Sequence, residues 1–162
     1  MNCKNCGAPM KVLREGLYFY CEYCSSFQFP TESVDRVRVF GEESSVECPI
    51  CRVPLVSAAI EGARVLHCTS CRGLLARQTS FVDLIKYLRA IATDPPRISQ
   101  PVSAEECKRQ TTCPVCGETM STHPYYGPGN VVIDVCTRCQ LIWLDYGELD
   151  VIVDAPGPDR AR

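Results

Sequence analysis

The sequence has little histidine and tryptophan, with two residues of the first and one of the second, and no apolar run approaches the length of a membrane span. It contains no glycine-rich phosphate loop, no serine nucleophile elbow and no H-E-x-x-H metal motif. Its carboxylates are scattered rather than paired around a recognisable pocket motif. These absences argue against an enzyme and against a membrane protein.

Cysteine, by contrast, is abundant, with 13 residues in a chain of 162. Twelve of these cysteines form six C-x-x-C pairs, whereas composition alone would give roughly one. The chain opens M-N-C-K-N-C, which leaves no room for a basic and apolar leader before the first pair. Since disulfide frameworks belong to oxidising compartments, we expect a cytoplasmic protein whose cysteines bind metal.

The six pairs group into three doublets of similar design. Each insert between the two pairs of a doublet holds an apolar stretch, a turn signal and a second apolar stretch. The turn signals are Glu15-Gly16, Glu61-Gly62 and residues 127–130. This is the pattern of a β-hairpin whose two ends are joined by cysteine pairs. We therefore predict a small, metal-dominated and mostly β fold of three tandem zinc-ribbon hairpin modules with short accessory helices.

The spacing of the cysteines predicts three zinc ions per chain. Four thiolates at the end of a hairpin form the closed tetrahedral site that Zn²⁺ prefers, and iron in a rubredoxin-like site is the chemical alternative. A closed site has no open position for a substrate, and each module is too small to fold on apolar packing alone, so the metal is expected to stabilise the fold. The predicted metal ligands are Cys3, Cys6, Cys21, Cys24, Cys48, Cys51, Cys68, Cys71, Cys113, Cys116, Cys136 and Cys139.

The first turn of such a site favours glycine after its second cysteine, because a left-handed backbone lets amides face the sulfurs. Gly7 and Gly117 fit this rule, whereas Arg52 does not. The two histidines, His67 and His123, are predicted to be strand or turn residues rather than further ligands.

Cys107 is the cysteine left over from the three doublets. We predict an exposed thiol without a special role. A redox sensor is the alternative, because the neighbouring Lys108 and Arg109 can lower the pKa of a thiol.

Between the modules, residues 78–92 place Val82, Ile85, Leu88 and Ile91 at helical spacing. Ser80 and Asp83 resemble a capping box, so we predict a helix over residues 81–92. The segment V-D-R-V-R-V-F at residues 34–40 alternates as a strand does and is a candidate third strand of the first module. The predicted units are ribbon 1 (1–40), ribbon 2 with its helix (41–92), a linker (93–107), ribbon 3 with a short helix (108–154) and a disordered tail (155–162).

The third doublet, C-P-V-C-G-E followed by V-V-I-D-V-C-T-R-C-Q-L-I-W-L-D-Y-G-E-L-D, resembles the transcription-factor-IIB-type zinc-finger family of small prokaryotic proteins over residues 113–152. The run W-L-D-x-G-E-L from Trp143 to Leu149 carries most of the resemblance. The second doublet is similar to a divergent copy over residues 48–90, and the first resembles only a generic zinc ribbon. Family members usually have glycines after the last cysteine, where this chain has Gln140 and Leu141. The resemblance implies a zinc ribbon, but a fold alone does not give a function.

The run Leu141–Leu144 would place apolar side chains on both faces of a strand. Asp145 and Glu148 resemble a capping box that starts a short helix, and this helix can cover one of the two faces. We predict that Trp143 is a structural lid buried between the third ribbon and this helix, with a direct binding contact as the alternative. The leftover apolar faces, including that of the 81–92 helix, are expected to pack on one another or on a partner.

The formal net charge is −2, and three Zn²⁺ ions on twelve thiolates would add +6 and −12, giving −8. An acidic balance disfavours nucleic acid, which normally meets a basic face. The first module keeps a local possibility through three cations beside three tyrosines that can stack on bases. These are Lys4, Lys11, Arg14, Tyr18, Tyr20 and Tyr23.

Three functions remain open on this sequence. We predict a non-enzymatic zinc-binding adaptor that docks on another protein through apolar faces near Trp143 and the 81–92 helix. The first alternative is a nucleic-acid or transcription-machinery factor, and the second is a rubredoxin-like or thiol-redox protein.

Overall fold

The structure is a computed structural model, and it describes residues 1–13, 18–28, 36–125, 127 and 129–157. Several sequence predictions fall outside these residues. They concern Arg14, the side chain of Tyr18, the Glu15-Gly16 turn, Pro128 and the end of the tail at residues 158–162.

The first ribbon is a small antiparallel sheet of three short strands. They are β1 (Lys11–Leu13), β2 (Tyr18–Tyr20) and β3 (Phe27–Gln28), in the order β1-β2-β3. The third strand directly follows the second cysteine pair of this ribbon, because Cys21 and Cys24 turn the chain back toward β2.

Seven strands from the second and third ribbons form one continuous antiparallel sheet. Along the chain they are β4 (Arg38–Glu47), β5 (Pro54–Ile60), β6 (Ala63–His67), β7 (Leu74–Arg77), β8 (Ser121–Pro124), β9 (Val132–Cys136) and β10 (Leu141–Leu144). Their order across the sheet is β4-β5-β6-β7-β10-β9-β8. The fold is therefore mostly β and carries three cysteine groups, as the sequence predicts.

The two ribbons join where β7 pairs with β10. The register runs from Leu74 opposite Leu144 to Arg77 opposite Leu141. Each of these strands follows the second cysteine pair of its own ribbon, so equivalent strands of the two repeats pair with each other. Each repeat thereby supplies the backbone hydrogen-bonding partner that the other would lack as an isolated hairpin.

The described part of the segment at residues 34–40, which begins at Arg36, is not a third strand of the first module, and that part of the prediction is wrong. Arg38 begins β4, which pairs with β5 of the second ribbon. The sequence boundary predicted between residues 40 and 41 thus lies inside a strand. Alternation alone indicates a strand but does not identify the neighbour that the strand pairs with.

Two α-helices cover one face of the seven-stranded sheet: α1 (Gln78–Ile91) and α2 (Glu148–Asp154). Arg89 of α1 donates a hydrogen bond of 2.7 Å to the carbonyl of Ile152, near the end of α2. A short 3-10 helix spans Glu106–Lys108. Among the described residues, no helix has the length and hydropathy needed to cross a membrane.

Helix α1 begins three residues earlier than the sequence predicts. Its N-cap position is Arg77, with no side-chain cap, so the capping box at Ser80 and Asp83 does not form. The start is set by the sheet instead, because α1 follows β7 without a loop and the amide of Gln78 donates to the carbonyl of Gln140 at 3.0 Å.

The buried face of α1 also differs from the predicted one. Ile85 and Leu88 are fully buried as expected, whereas Val82 and Ile91 are exposed by 45% and 46%. The remaining buried positions are Phe81 and Leu84. The four buried residues follow the i, i+3, i+4, i+7 spacing of one helix face, whereas the predicted positions are each three apart and drift around the helix.

The sheet has a separate apolar core on each face. On the helix face, side chains from β5, β6, β7, β9 and β10 pack with α1 and α2. On the opposite face, Trp143, Leu75, Leu55 and Met120 pack with cysteines of the second and third groups. The alternation of β10 divides the apolar run accordingly, with Ile142 and Leu144 on the helix face and Trp143 on the cysteine face.

Candidate metal centres

The structure brings the twelve paired cysteines into three groups of four. Within each group, the sulfur atoms all lie within 4.8 Å of one another. The groups are Cys3, Cys6, Cys21 and Cys24; Cys48, Cys51, Cys68 and Cys71; and Cys113, Cys116, Cys136 and Cys139. Each group joins the two cysteine pairs of one predicted doublet.

The distances between sulfurs fit a zinc ion. Four Zn–S bonds of about 2.3 Å in a tetrahedron separate the sulfurs by roughly 3.8 Å, whereas a disulfide brings them to about 2.05 Å. The measured Sγ–Sγ distances are 3.6 Å for Cys3–Cys24, 3.5 Å for Cys6–Cys21, 3.7 Å for Cys48–Cys71 and 3.6 Å for Cys116–Cys136. Each group therefore has the donor type, number and spacing to bind one zinc ion.

All six cysteine pairs use the same backbone turn. The residue after the second cysteine of each pair has a positive φ: Gly7 (77°), Ser25 (56°), Arg52 (63°), Arg72 (59°), Gly117 (75°) and Gln140 (56°). The left-handed backbone for which glycine is favoured is thus present after all six cysteine pairs. Non-glycine residues occupy four of the six left-handed positions, at a steric cost that the closed turn must offset.

Hydrogen bonds close these turns. The amide of Arg52 donates to the carbonyl of Cys48 at 2.9 Å, and the amide of Arg72 donates to the carbonyl of Cys68 at 2.8 Å. Backbone amides also point at sulfur, as Cys51 N does toward Cys48 Sγ at 3.3 Å. Such donors stabilise a thiolate, which is the form that binds metal.

The three groups differ in their exposure. In the second group only Cys51 is not fully buried, whereas Cys6 of the first group is exposed. In the first group the hydroxyl of Ser26 lies 3.1 Å from Cys3 Sγ and 3.0 Å from Cys24 Sγ. Hydrogen bonding from Ser26 lowers the pKa of Cys24 to about 6.

The remaining candidate residues lie outside the three groups. Cys107 lies in the 3-10 helix and is half-buried, not exposed as predicted. His123 lies on β8, where its Nδ1 is 3.0 Å from the carbonyl of Pro124. His67 lies on β6 with 7% of its surface exposed, and burial lowers its pKa. Both histidines are strand residues, as predicted, and neither joins a cysteine group.

Trp143 is buried, as the lid interpretation predicts, but its neighbours are not the predicted ones. Its side chain is 0% exposed and packs among residues of the cysteine face. Gly73, from the second ribbon, lies directly under the indole, and Trp143 Nε1 donates to Asp145 Oδ1 at 3.0 Å. The predicted contact with the short helix is wrong, because α2 packs on the other face of the sheet.

The structure shows one half of the predicted capping box at Asp145 and Glu148. The Glu148 carboxylate accepts a hydrogen bond of 2.7 Å from the amide of Asp145. The carboxylate of Asp145 accepts hydrogen bonds from Trp143 and Arg109. Asp145 thus connects the indole of Trp143 by hydrogen bonds to an ionic network that includes Arg109.

This network centres on Arg109, which sequence reasoning considered only as a neighbour of Cys107. Its guanidinium pairs with Asp145 and lies 2.8 Å from the fully buried Asp134. Thr111 donates to Asp134 at 3.0 Å, and Thr122 donates to its other oxygen. Burial alone would lower the pKa of Arg109, but nearby carboxylates, first Asp145 and then Asp134, raise it overall. The sequence signal for this network is the aspartate in the middle of the apolar run V-V-I-D-V-C. A charged side chain in a buried strand needs a partner of opposite charge.

Comparison with protein families supports the ribbon assignment for the third module. Residues 112–155 match the transcription factor zinc-finger family, of the TFIIB zinc-ribbon type, which confirms the resemblance predicted over residues 113–152. No curated protein and no solved structure matches the chain.

Proposed function

We propose that this chain, a zinc-binding protein whose residues 112–155 match the transcription factor zinc-finger family, is a non-enzymatic adaptor that binds another protein. The observation that carries the proposal is the fusion of two ribbons through β7 and β10 into one seven-stranded sheet. Such a sheet is a broad, metal-stabilised surface whose cysteine groups are all closed.

The twelve clustered cysteines are the proposed zinc ligands, with one ion for each group. Zinc ribbons of this type are generally non-catalytic, because four thiolates fill the tetrahedral coordination of the ion. Among the described residues, the groups of three or more histidine, cysteine or acidic side chains near enough to share a metal are these three alone. The unpaired state of the thiols in these groups also supports our proposal of a reducing, cytoplasmic location.

Two apolar areas are available for a partner. The first lies near Trp143. Because Trp143 itself is buried, the apolar side chain that a partner could contact there is that of Leu141, which is half-buried and lies on the same strand. On the outer side of α1, Val82, Tyr87 and Ile91 are exposed by 45%, 50% and 46%. Exposed apolar side chains of this kind are common contact points between proteins.

The nucleic-acid alternative has less support in the first ribbon than the sequence suggests. Lys11 pairs with Glu22 at 2.5 Å, and the ring of Tyr20 packs on Phe27 with centroids 5.0 Å apart. Tyr23 remains 76% exposed, but among the described side chains of this ribbon one exposed aromatic ring beside a few cations is a small platform for bases.

The test is affinity purification of the zinc-loaded full chain from its native host. We expect a protein partner that remains bound after nuclease treatment. The matched control is the Cys68→Ser/Cys71→Ser variant, which should lose the partner because the second zinc site cannot form. Recovery of nucleic acid alone, with a salt-dependent shift of single-stranded RNA or DNA, would contradict the adaptor proposal.

A further inference from the structure

A groove lies on the cysteine face of the seven-stranded sheet, beside the region covered by Trp143. Its volume is about 930 Å³, and it crosses β4, β5, β6, β7 and β10. The side chains of Leu66, Leu75 and Leu141 line it from three neighbouring strands. Phe40 and Val115 border it from different ribbons and are exposed by 53% and 56%. The groove therefore exists only because the second and third ribbons share one sheet.

Two arginines line the same groove. Arg64 on β6 and Arg77 on β7 are both exposed. Leu66 pairs with Leu75 across these strands, and each arginine lies two residues beyond its leucine on the same face. The recorded pairing of β6 and β7 ends at Leu66 and Leu75, so both arginines lie just beyond it, at the same end of the two strands.

Like charges on neighbouring strands repel each other. Within the described part of the chain, the guanidinium groups of Arg64 and Arg77 have no hydrogen bond or ion pair to a protein group, although both backbones pair within the sheet. Other arginines of this protein are paired, as Arg138 is with Glu118 and Arg97 with Asp154. The pair in the groove is thus a local concentration of positive charge on a chain whose formal charge is −2.

We propose that this groove binds a short acidic and apolar peptide segment of a partner protein. Arg64 and Arg77 pair with carboxylates of the segment, for which the guanidinium fork is well suited. The half-buried Leu66 and Leu141 receive its apolar side chains. This inference rests on the adaptor function and specifies the chemistry of the partner at that site.

The observations favour a peptide over a nucleic acid. A polyanion needs a track of cations along its backbone, whereas this groove offers one pair of arginines on an apolar floor, with Glu42 also in its lining. The net negative charge of the protein repels a polyanion at long range. A segment with one or two carboxylates beside leucine-like side chains matches both the charge and the floor.

The test uses the zinc-loaded full chain and a random eight-residue peptide library displayed on phage. We expect enrichment of sequences that place Asp or Glu beside apolar residues. Against the Arg64→Glu/Arg77→Glu variant, an enriched peptide should lose affinity by tenfold or more, and selection should shift toward Lys and Arg. Both arginines are exposed, so zinc content and Trp143 emission should stay unchanged and show that the variant is folded.

The matched control is Lys86→Glu, which reverses an exposed charge on α1, on the other side of the sheet. It should leave the selected peptides unchanged. Enrichment without acidic residues, or equal binding to the double arginine variant, would overturn the proposal. Preferential binding of a single-stranded oligonucleotide in the groove would overturn it in favour of nucleic acid.

Affinity purification with the double arginine variant separates this inference from the adaptor function. If the variant retains the partner of the wild-type chain, the groove proposal fails while the adaptor function stands. If the wild-type chain captures no protein partner, the adaptor function fails and the groove proposal fails with it.

Discussion

The indole of Trp143 rests on Gly73, so closely that a Cβ added at Gly73 would lie 2.2 Å from Cζ2 and 2.6 Å from Cη2 of the ring. Gly73 directly precedes β7 of the second ribbon, and Trp143 lies on β10 of the third ribbon. These two strands pair with each other. The contact accounts for glycine in the C-R-G-L sequence of the second ribbon, because any side chain there would occupy the space of the indole.

Gly73→Ala should therefore destabilise the protein by overpacking, by about 1–3 kcal/mol. The cost should fall sharply in a Trp143→Phe background, because phenylalanine lacks the outer ring that carries Cζ2 and Cη2. Urea unfolding of the four proteins in this double-mutant cycle measures the coupling. Gly41→Ala is the control: it has a positive φ of 85° and no atom within 4 Å, so its cost should be the same in both backgrounds. Independent effects of the two substitutions would contradict the contact.

Truncation of Trp143 tests its role as a buried lid. Trp143→Ala should lower the free energy of unfolding by about 3–5 kcal/mol, as for other large buried aromatics. Because metal binding and folding are coupled, zinc should also be lost at a lower chelator concentration. As the single tryptophan, Trp143 should show blue-shifted emission that resists iodide and acrylamide. Freely quenched, red-shifted emission without a partner would show an exposed docking residue instead.

Arg109 forms an ion pair with the buried carboxylate of Asp134. Arg109→Met should destabilise by about 3–5 kcal/mol, because it removes the cation facing Asp134, which is fully buried. Adding Asp134→Asn and Asp145→Asn should recover part of that loss by removing the unpaired charges. Arg138→Met is the control, since its pair with Glu118 is exposed and should contribute less than about 1 kcal/mol. Thermal unfolding of the three variants decides, and equal effects of Arg109→Met and Arg138→Met would refute the network.

At Arg52, where the backbone is left-handed, we expect a substitution that stabilises the protein. Its φ of 63° is costly for any residue with a side chain, so Arg52→Gly should stabilise the protein by about 0.5–1 kcal/mol after the greater flexibility of unfolded glycine is deducted. Arg52→Ala keeps the same strain and should show no such gain. The zinc-loaded proteins can be compared by chemical unfolding, where an alanine variant as stable as the glycine variant would argue against backbone strain.

The metal groups could be predicted from the sequence because their signal is local and repeated. Two cysteines three positions apart define a turn, and three similar doublets indicate which turns share a site. The left-handed positions were predicted correctly where glycine marks them, at Gly7 and Gly117. At Arg52 and Gln140 no glycine indicates the turn, and the closed turn imposes the conformation regardless of the side chain.

The pairing of the ribbons could not be predicted from the sequence. Leu74–Arg77 and Leu141–Leu144 are both apolar on two faces. This pattern indicates that both faces of each strand are buried, but it does not identify the elements that bury them. The answer depends on a register between distant segments, and that register also determines where α1 begins. Arg109 was missed for a related reason, since its partners Asp134 and Asp145 lie far along the chain in another part of the ribbon.

The metal content of the full chain tests the central claim, that this protein is built on three closed zinc sites. Native mass spectrometry of protein purified without oxygen should show three zinc ions per chain. Brief treatment of that form with a thiol reagent should label Cys107 first, because the other twelve cysteines are ligands. Two metal ions or fewer, a red iron-containing protein, or rapid labelling of several cysteines in the loaded form would contradict the account.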